Sequence, residues 1–179
     1  MKLAISALLS FSLSGAALAV SESNCSSQEK RQIKSLSQEE IDGYLSGKGM
    51  GIATPAELNN FPGPKHVIDL ANELGLSNEQ LLQTKKIYEM MRSEASEYGS
   101  LFVKCEQRIE ALFSEGTVSP QLLQKSLEDS AKISAKLRGV HLMAHINQKS
   151  ILSEQQVKLY NSLRGYTGSR SINEHKHHH

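Results

Sequence analysis

One unbroken periodicity constrains this chain more than any other feature. Leu81, Thr84, Tyr88, Met91, Ala95, Tyr98, Phe102, Cys105, Ile109 and Leu112 follow one another at alternating spacings of three and four. A strand repeats every second residue and cannot keep such a row on one face, whereas a helix of about 3.6 residues per turn gathers it into a coiled-coil-like seam. Ile87, Leu101 and Phe113 widen the stripe. The segment therefore reads as one long helix that needs a partner of similar length.

The punctuation around the seam supplies that partner. Ser77-Asn78-Glu79-Gln80 is a capping box that starts the helix, and Gly116 ends it. Ser119 caps a second helix with Pro120 at its first position, where the missing N–H costs nothing. Its stripe is weaker: Leu123, Leu127, Ala131, Ser134, Leu137, His141 and Ala144, with Ile133 and Val140 beside it. Two long helices joined by a tight turn run antiparallel. Ser153-Glu154-Gln155-Gln156 starts a last helix, whose apolar side is Val157, Leu159, Tyr160 and Leu163. Upstream, Ser37 and Glu40 form a capping box before Ile41, Tyr44 and Leu45, and Gly47, Gly49 and Gly51 stop that short helix. From Gly49 to Pro64 the chain reads as an ordered loop anchored by Met50, Ile52, Leu58 and Phe61, followed by a short helix from His66 to Leu74. The expected fold is all-α, a long antiparallel helical hairpin flanked by short helices and pairing as a dimer.

The ends read differently. Lys2, an apolar stretch from Leu3 through Leu13 and a small-residue exit at Ala17-Leu18-Ala19 make a secretory signal peptide, with cleavage expected after Ala19. That run is too interrupted by serines for a membrane anchor. The division expected is a signal peptide over 1–19, a flexible polar arm over 20–36, a helical domain over 37–166 and a disordered histidine-rich tail over 167–179. The 20 Lys and Arg stand against 19 Asp and Glu, and Lys2 is the only charge of the leader, so the exported chain is balanced. It has no broad electrostatic pull toward nucleic acid or anionic lipid. Export permits a disulfide between Cys25 and Cys105, but two cysteines far apart in sequence do not establish one.

The two helix starts that bracket the hairpin read Leu76-Ser77-Asn78-Glu79-Gln80 and Leu152-Ser153-Glu154-Gln155-Gln156. With the export signal and the hairpin, they resemble the Spy, CpxP and ZraP family of periplasmic proteins, which carries a repeated LTxxQ motif. Here serine stands where the family often has threonine, which keeps the capping chemistry. The loop from Gly49 to Pro64 and His141-Leu142-Met143-Ala144-His145 look like the family's heavy-metal sensor and resistance branch. The resemblance covers about residues 37 to 166. It implies an all-helical, often dimeric periplasmic protein that binds metal or protects unfolded envelope proteins without ATP. An inner-membrane sensor is a further partner to expect.

His141 and His145 lie four apart and project from one helix face, a spacing that lets two imidazoles reach one metal ion. The competing reading is a hydrogen-bonded histidine pair. Folding the hairpin about Thr117 sets His141 opposite Glu94 and His145 opposite Met90, with Met91 close by. Imidazole with carboxylate suits Zn, Ni or Co, and thioethers shift preference toward Cu(I). His66 is a candidate third ligand or a surface residue at a helix start, with Asp69 on its face. His175, His177, His178 and His179 form either a natural metal-collecting tail or an expression tag. For an enzyme the sequence offers little. The stretch from Gly43 to Gly49 is one residue short of a phosphate loop and lacks a Ser or Thr after Lys48; zinc-protease and paired-cysteine motifs are absent. No catalytic residue is assigned. A thin hairpin also leaves apolar surface that serves either a dimer core or the weak holding of unfolded clients.

Overall fold

The computed structural model describes residues 28–166. Along them run α1 (Gln38–Leu45), α2 (Thr54–Glu57), α3 (Pro64–Asp69), α4 (Asn78–Ser114), α5 (Pro120–Ser150) and α6 (Glu154–Leu163). The expected all-α hairpin is present: α4 and α5, of 37 and 31 residues, pack along each other. At about 1.5 Å per residue, α4 is roughly 55 Å long. Among the described residues, no helix is long and apolar enough to cross a membrane.

Each helix start is where its cap places it. Ser37, Ser77, Ser119 and Ser153 each accept from a backbone N–H in the first turn, and Pro120 opens α5. Gln80 and Gln156 do more than close their own capping boxes. Each side-chain amide donates to the other's carbonyl oxygen, at 2.9 and 3.1 Å, and Gln80 also donates to the Ile151 carbonyl at 2.9 Å. The two motifs are thus clasped together at the open end of the hairpin. Beside the clasp, Val67, Leu74 and Tyr160 form a buried cluster on which Leu76 and Leu152 pack.

The seam departs from its expected register. On α4 the buried positions are Thr84, Ala95, Gly99 and Val103, so the line swings off Tyr98 and Phe102 onto the neighbouring face. The reason is a third layer: α1 ends on α4, and a Cβ at Gly99 would collide with the Tyr44 carbonyl oxygen. Ser96 Oγ donates to the Leu45 carbonyl at 2.5 Å, and the Tyr44 and Phe102 rings lie 4.8 Å apart. On α5, Ser126 and Ser130 are buried in place of Leu127 and Ala131, and Leu127 is half exposed. Small side chains let the helices close there, and Ser130 Oγ donates to Glu106 at 2.8 Å.

The N-terminal segments correct three further expectations. Residues 28–36 of the arm read as flexible are packed at their end, with Ile33 and Leu36 buried against Val103. Two apolar residues three apart in a polar run were enough to seat it. The loop after α1 contains α2; of its expected anchors Leu58 is exposed, while Met50, though partly exposed, lays its thioether over Gly43 of α1. The helix expected over His66 to Leu74 is regular only through Asp69. Residues 1–27 and 167–179, including the leader, Cys25 and the tail histidines, lie outside the described residues. Among the described residues Cys105 has no disulfide partner; it is half-buried, and burial raises its pKa.

Candidate functional site

The last third of α5 meets the N-terminal loops in a cavity of about 630 Å³. His141 and His145 lie one helical turn apart on its floor and are 2% and 7% exposed. Met91 and Tyr88 of α4, His66 of α3 and Glu57 of α2 also line it. The structure therefore brings together four of the residues singled out from sequence: His141, His145, His66 and Met91.

Glycines let the loop backbone lie against the histidines. Gly47 has φ of +68°, and a Cβ there would stand 2.5 Å from the Arg92 carbonyl oxygen, so a larger residue would lift the loop off α4. At Gly63 a Cβ would meet His145 Cε1 at 2.9 Å and Glu57 Oε2 at 3.1 Å. Two residues earlier, the Phe61 carbonyl oxygen lies 2.7 Å from His145 Nδ1. A neutral imidazole carries one proton, so an Nδ1–H that donates to Phe61 leaves the Nε2 lone pair free.

His141 is held differently. Its Nε2 is buried and lacks a hydrogen-bond partner among the described residues. Burial, and then the neighbouring His145, push its pKa below the ordinary histidine value. The ring is therefore neutral at pH 7, the state in which imidazole binds metal. His66 has a lowered pKa too, chiefly from burial and then from Arg164. Its Nε2 lies 3.3 Å from an Arg164 Nη, and a guanidinium can only donate, so that lone pair is already engaged.

Glu57 is the hub that sequence reasoning missed. Its Oε1 accepts from the Tyr160 hydroxyl and, at 3.2 Å, from the Tyr166 hydroxyl, with Arg164 Nε at 3.7 Å. Its Oε2 stands 3.6 Å from His145 Nδ1. Tyr160 is fully buried, and burial followed by Glu57 raises its pKa far above the usual phenol range, so it remains a donor. Nothing in the spacing of Thr54-Pro55-Ala56-Glu57 marks this role, and Tyr160 reads in sequence as an apolar position.

Two expected neighbours are elsewhere. Glu94 and Met90 line a separate small groove with Val140 and Met143, and Glu94 is exposed. Ala95 takes the buried place at that level, and one residue along a helix is about 100° of rotation. His141 consequently faces Gly49, whose Cβ would lie 3.4 Å from Nδ1, instead of Glu94. Among the described residues, no three His, Cys, Asp or Glu side chains are grouped closely enough to hold a metal ion. What the chain presents is a pair of imidazoles with a thioether nearby. His145 has a backbone carbonyl and a carboxylate behind it, the arrangement that orients metal-binding histidines. That donor set fits a late transition metal as a partial site. No family model, curated protein or solved structure matches the chain.

Proposed function

We propose that this is a periplasmic stress or resistance protein that senses or buffers divalent heavy metal through His141 and His145. The observation that carries the reading is the buried Nε2 of His141, without a partner among the described residues, beside an imidazole whose Nδ1 is tied to Phe61. An orphaned buried nitrogen costs stability, on the order of 1–3 kcal/mol, and is retained more readily where a ligand satisfies it. Met91 is the next donor, and His66 joins only by giving up Arg164. Zn, Ni, Co and Cu all accept imidazole, and the thioether favours copper. The leader ending at Ala19 carries the chain to the periplasm, where the histidine tail acts as an accessory collector. No catalytic residue enters this reading.

Titration of zinc, nickel and copper into the chain from Val20, with and without residues 174–179, tests it. We expect binding at or below about micromolar Kd that survives loss of the tail and is abolished by His141→Ala with His145→Ala. Binding weaker than that, or indifferent to the double substitution, sinks the reading.

A second reading is favoured by a different observation. Leu82, Met90, Phe113, Leu122, Leu127, Met143 and Ile146 of the hairpin are all exposed. An ATP-independent holdase of the Spy type, working as a homodimer on unfolded envelope proteins, would use such a surface. Suppression of aggregation of a reduced client, equal with and without metal, is its signature. A purely regulatory binder would instead copurify with an inner-membrane sensor.

A further inference from the structure

The histidine cavity has more room and more positive charge than two imidazoles holding a bare metal ion would use. Its volume of about 630 Å³ lies in the range of small-molecule pockets, roughly 300–1,000 Å³, whereas one water occupies about 30 Å³. Lys48, Lys65, Arg92 and Arg164 line it, against Glu57 as the one acidic lining residue among those described. Lys65 is answered by Asp69, at 2.5 Å, and Arg164 by Glu57. Lys48 and Arg92 have no ion-pair partner among the described residues.

A divalent cation entering this space meets two imidazoles, which bring no negative charge, and two uncompensated positive side chains. Glu57 cannot balance the charge, because Tyr160, Tyr166 and Arg164 already occupy its Oε1 and its Oε2 sits behind His145 Nδ1. Two imidazoles also fill only half of a four-coordinate shell. The missing negative charge and the missing donors are the same deficit, and the unfilled volume is the room to supply both.

We propose that the cavity takes its metal as the complex of a small polycarboxylate, with His141 and His145 as the protein ligands and Lys48 and Arg92 recognising the chelate's carboxylates. The inference rests on the metal reading above. The loop Gly47-Lys48-Gly49 brings Lys48 to the cavity that His141 also lines, and α4 brings Arg92 under the same loop, where its Nε lies 3.5 Å from the Ser46 carbonyl. Arg92 suits a planar carboxylate, and Lys48 acts as a mobile point charge.

Nickel and citrate test this with opposite signs. The chain from Val20, carrying His175→Ala, His177→Ala, His178→Ala and His179→Ala, is titrated with nickel alone, with citrate alone and with preformed nickel citrate. If the protein takes the bare ion, citrate competes for it and weakens apparent binding. If it takes the chelate, nickel citrate binds more tightly than nickel, on the order of tenfold. Citrate is then retained with nickel one to one in equilibrium dialysis. Lys48→Glu and Arg92→Gln, both at exposed positions, remove that advantage and leave the thermal melt unchanged. Weakening by citrate, with dependence on His141 and His145 intact, overturns this inference and leaves the metal reading standing. Equal binding of citrate without nickel overturns it as well. No uptake of nickel in any arm overturns both.

Discussion

A buried imidazole with an unpartnered nitrogen shapes stability as well as ligation. The folded-state pKa of His141 is lowered by burial and by His145, while the unfolded chain titrates near about 6.5. Above that value both states are neutral and no penalty arises. As pH falls through it, the unfolded chain takes up a proton that the folded chain refuses, so stability declines until the folded pKa is passed. His66, lowered by burial and Arg164, acts in the same direction. Glu40, whose pKa is lowered by its hydrogen bonds to Ser37, loses its contribution only below about 4.5 and does not overlap this window. We expect the metal-free Tm to fall between pH 7.5 and pH 5.5, and to fall less in His141→Leu. That variant replaces an orphaned polar group with an apolar one, so at pH 7.5 its stability should be unchanged or higher by up to about 1 kcal/mol. A pH profile identical to that of the unsubstituted chain would rule out His141 as the titrating group. Tyr160→Phe probes the opposite end of the network. It takes the buried donor from Glu57 and should cost about 1.5–3 kcal/mol in chemical denaturation, because the acceptor is charged.

At the scale of elements, the two helix-start motifs behave as one device. Ser77 and Ser153 satisfy their own helix termini, and Gln80 and Gln156 then bond across to each other and to the Ile151 and Leu74 carbonyls. Gln80→Ala should cost about 1–3 kcal/mol, since it strands part of Gln156, and Gln156→Ala should cost a similar amount. The double substitution should fall short of their sum by at least about 0.5 kcal/mol, which a denaturation cycle measures. Additive costs would mean that each glutamine serves only its own cap. The caps themselves were legible because a serine followed three residues later by Glu or Gln is a local code. The clasp was not, because it depends on where the hairpin and α6 bring residues 80 and 156 together. The seam failed for a related reason. Periodicity finds a helix face from its apolar residues, but Gly99, Ser126 and Ser130 are buried because they are small, and hydrophobicity does not mark them. His141 and His145 were readable as a pair from their spacing. Glu57, Gly63 and Phe61, which arrange them, are contributed by loops whose path no short-range pattern dictates.

Over the whole molecule, packing is uneven along the hairpin. One cluster, with Val67, Leu74 and Tyr160, lies at the clasped end, and a second, with Ile33, Leu36 and Val103, lies further along. Lys34 pairs with Glu110, and Ser35 Oγ donates to Glu106 at 3.1 Å, which carries the third layer as far as the last turns of α4. Among the described residues, the side chains of both helices beyond Glu110 are largely exposed. There Phe113, Val118, Leu122 and Leu127 are 57%, 38%, 50% and 51% exposed, so the tip contributes little apolar burial of its own. Regions of low contact density open first, so amide exchange should be fastest, outside the termini, over about residues 111–127 and slowest around Thr84, Ala95 and Val103. The same measurement bears on pairing. If pairing of two copies covers the tip, protection of residues 111–127 rises with protein concentration, while protection around the histidine cavity stays constant. Phe113→Ser with Leu122→Ser should then abolish the concentration dependence without lowering metal affinity. Protection of the tip that is independent of concentration from micromolar to millimolar would leave those side chains free for clients and shift the balance toward the holdase.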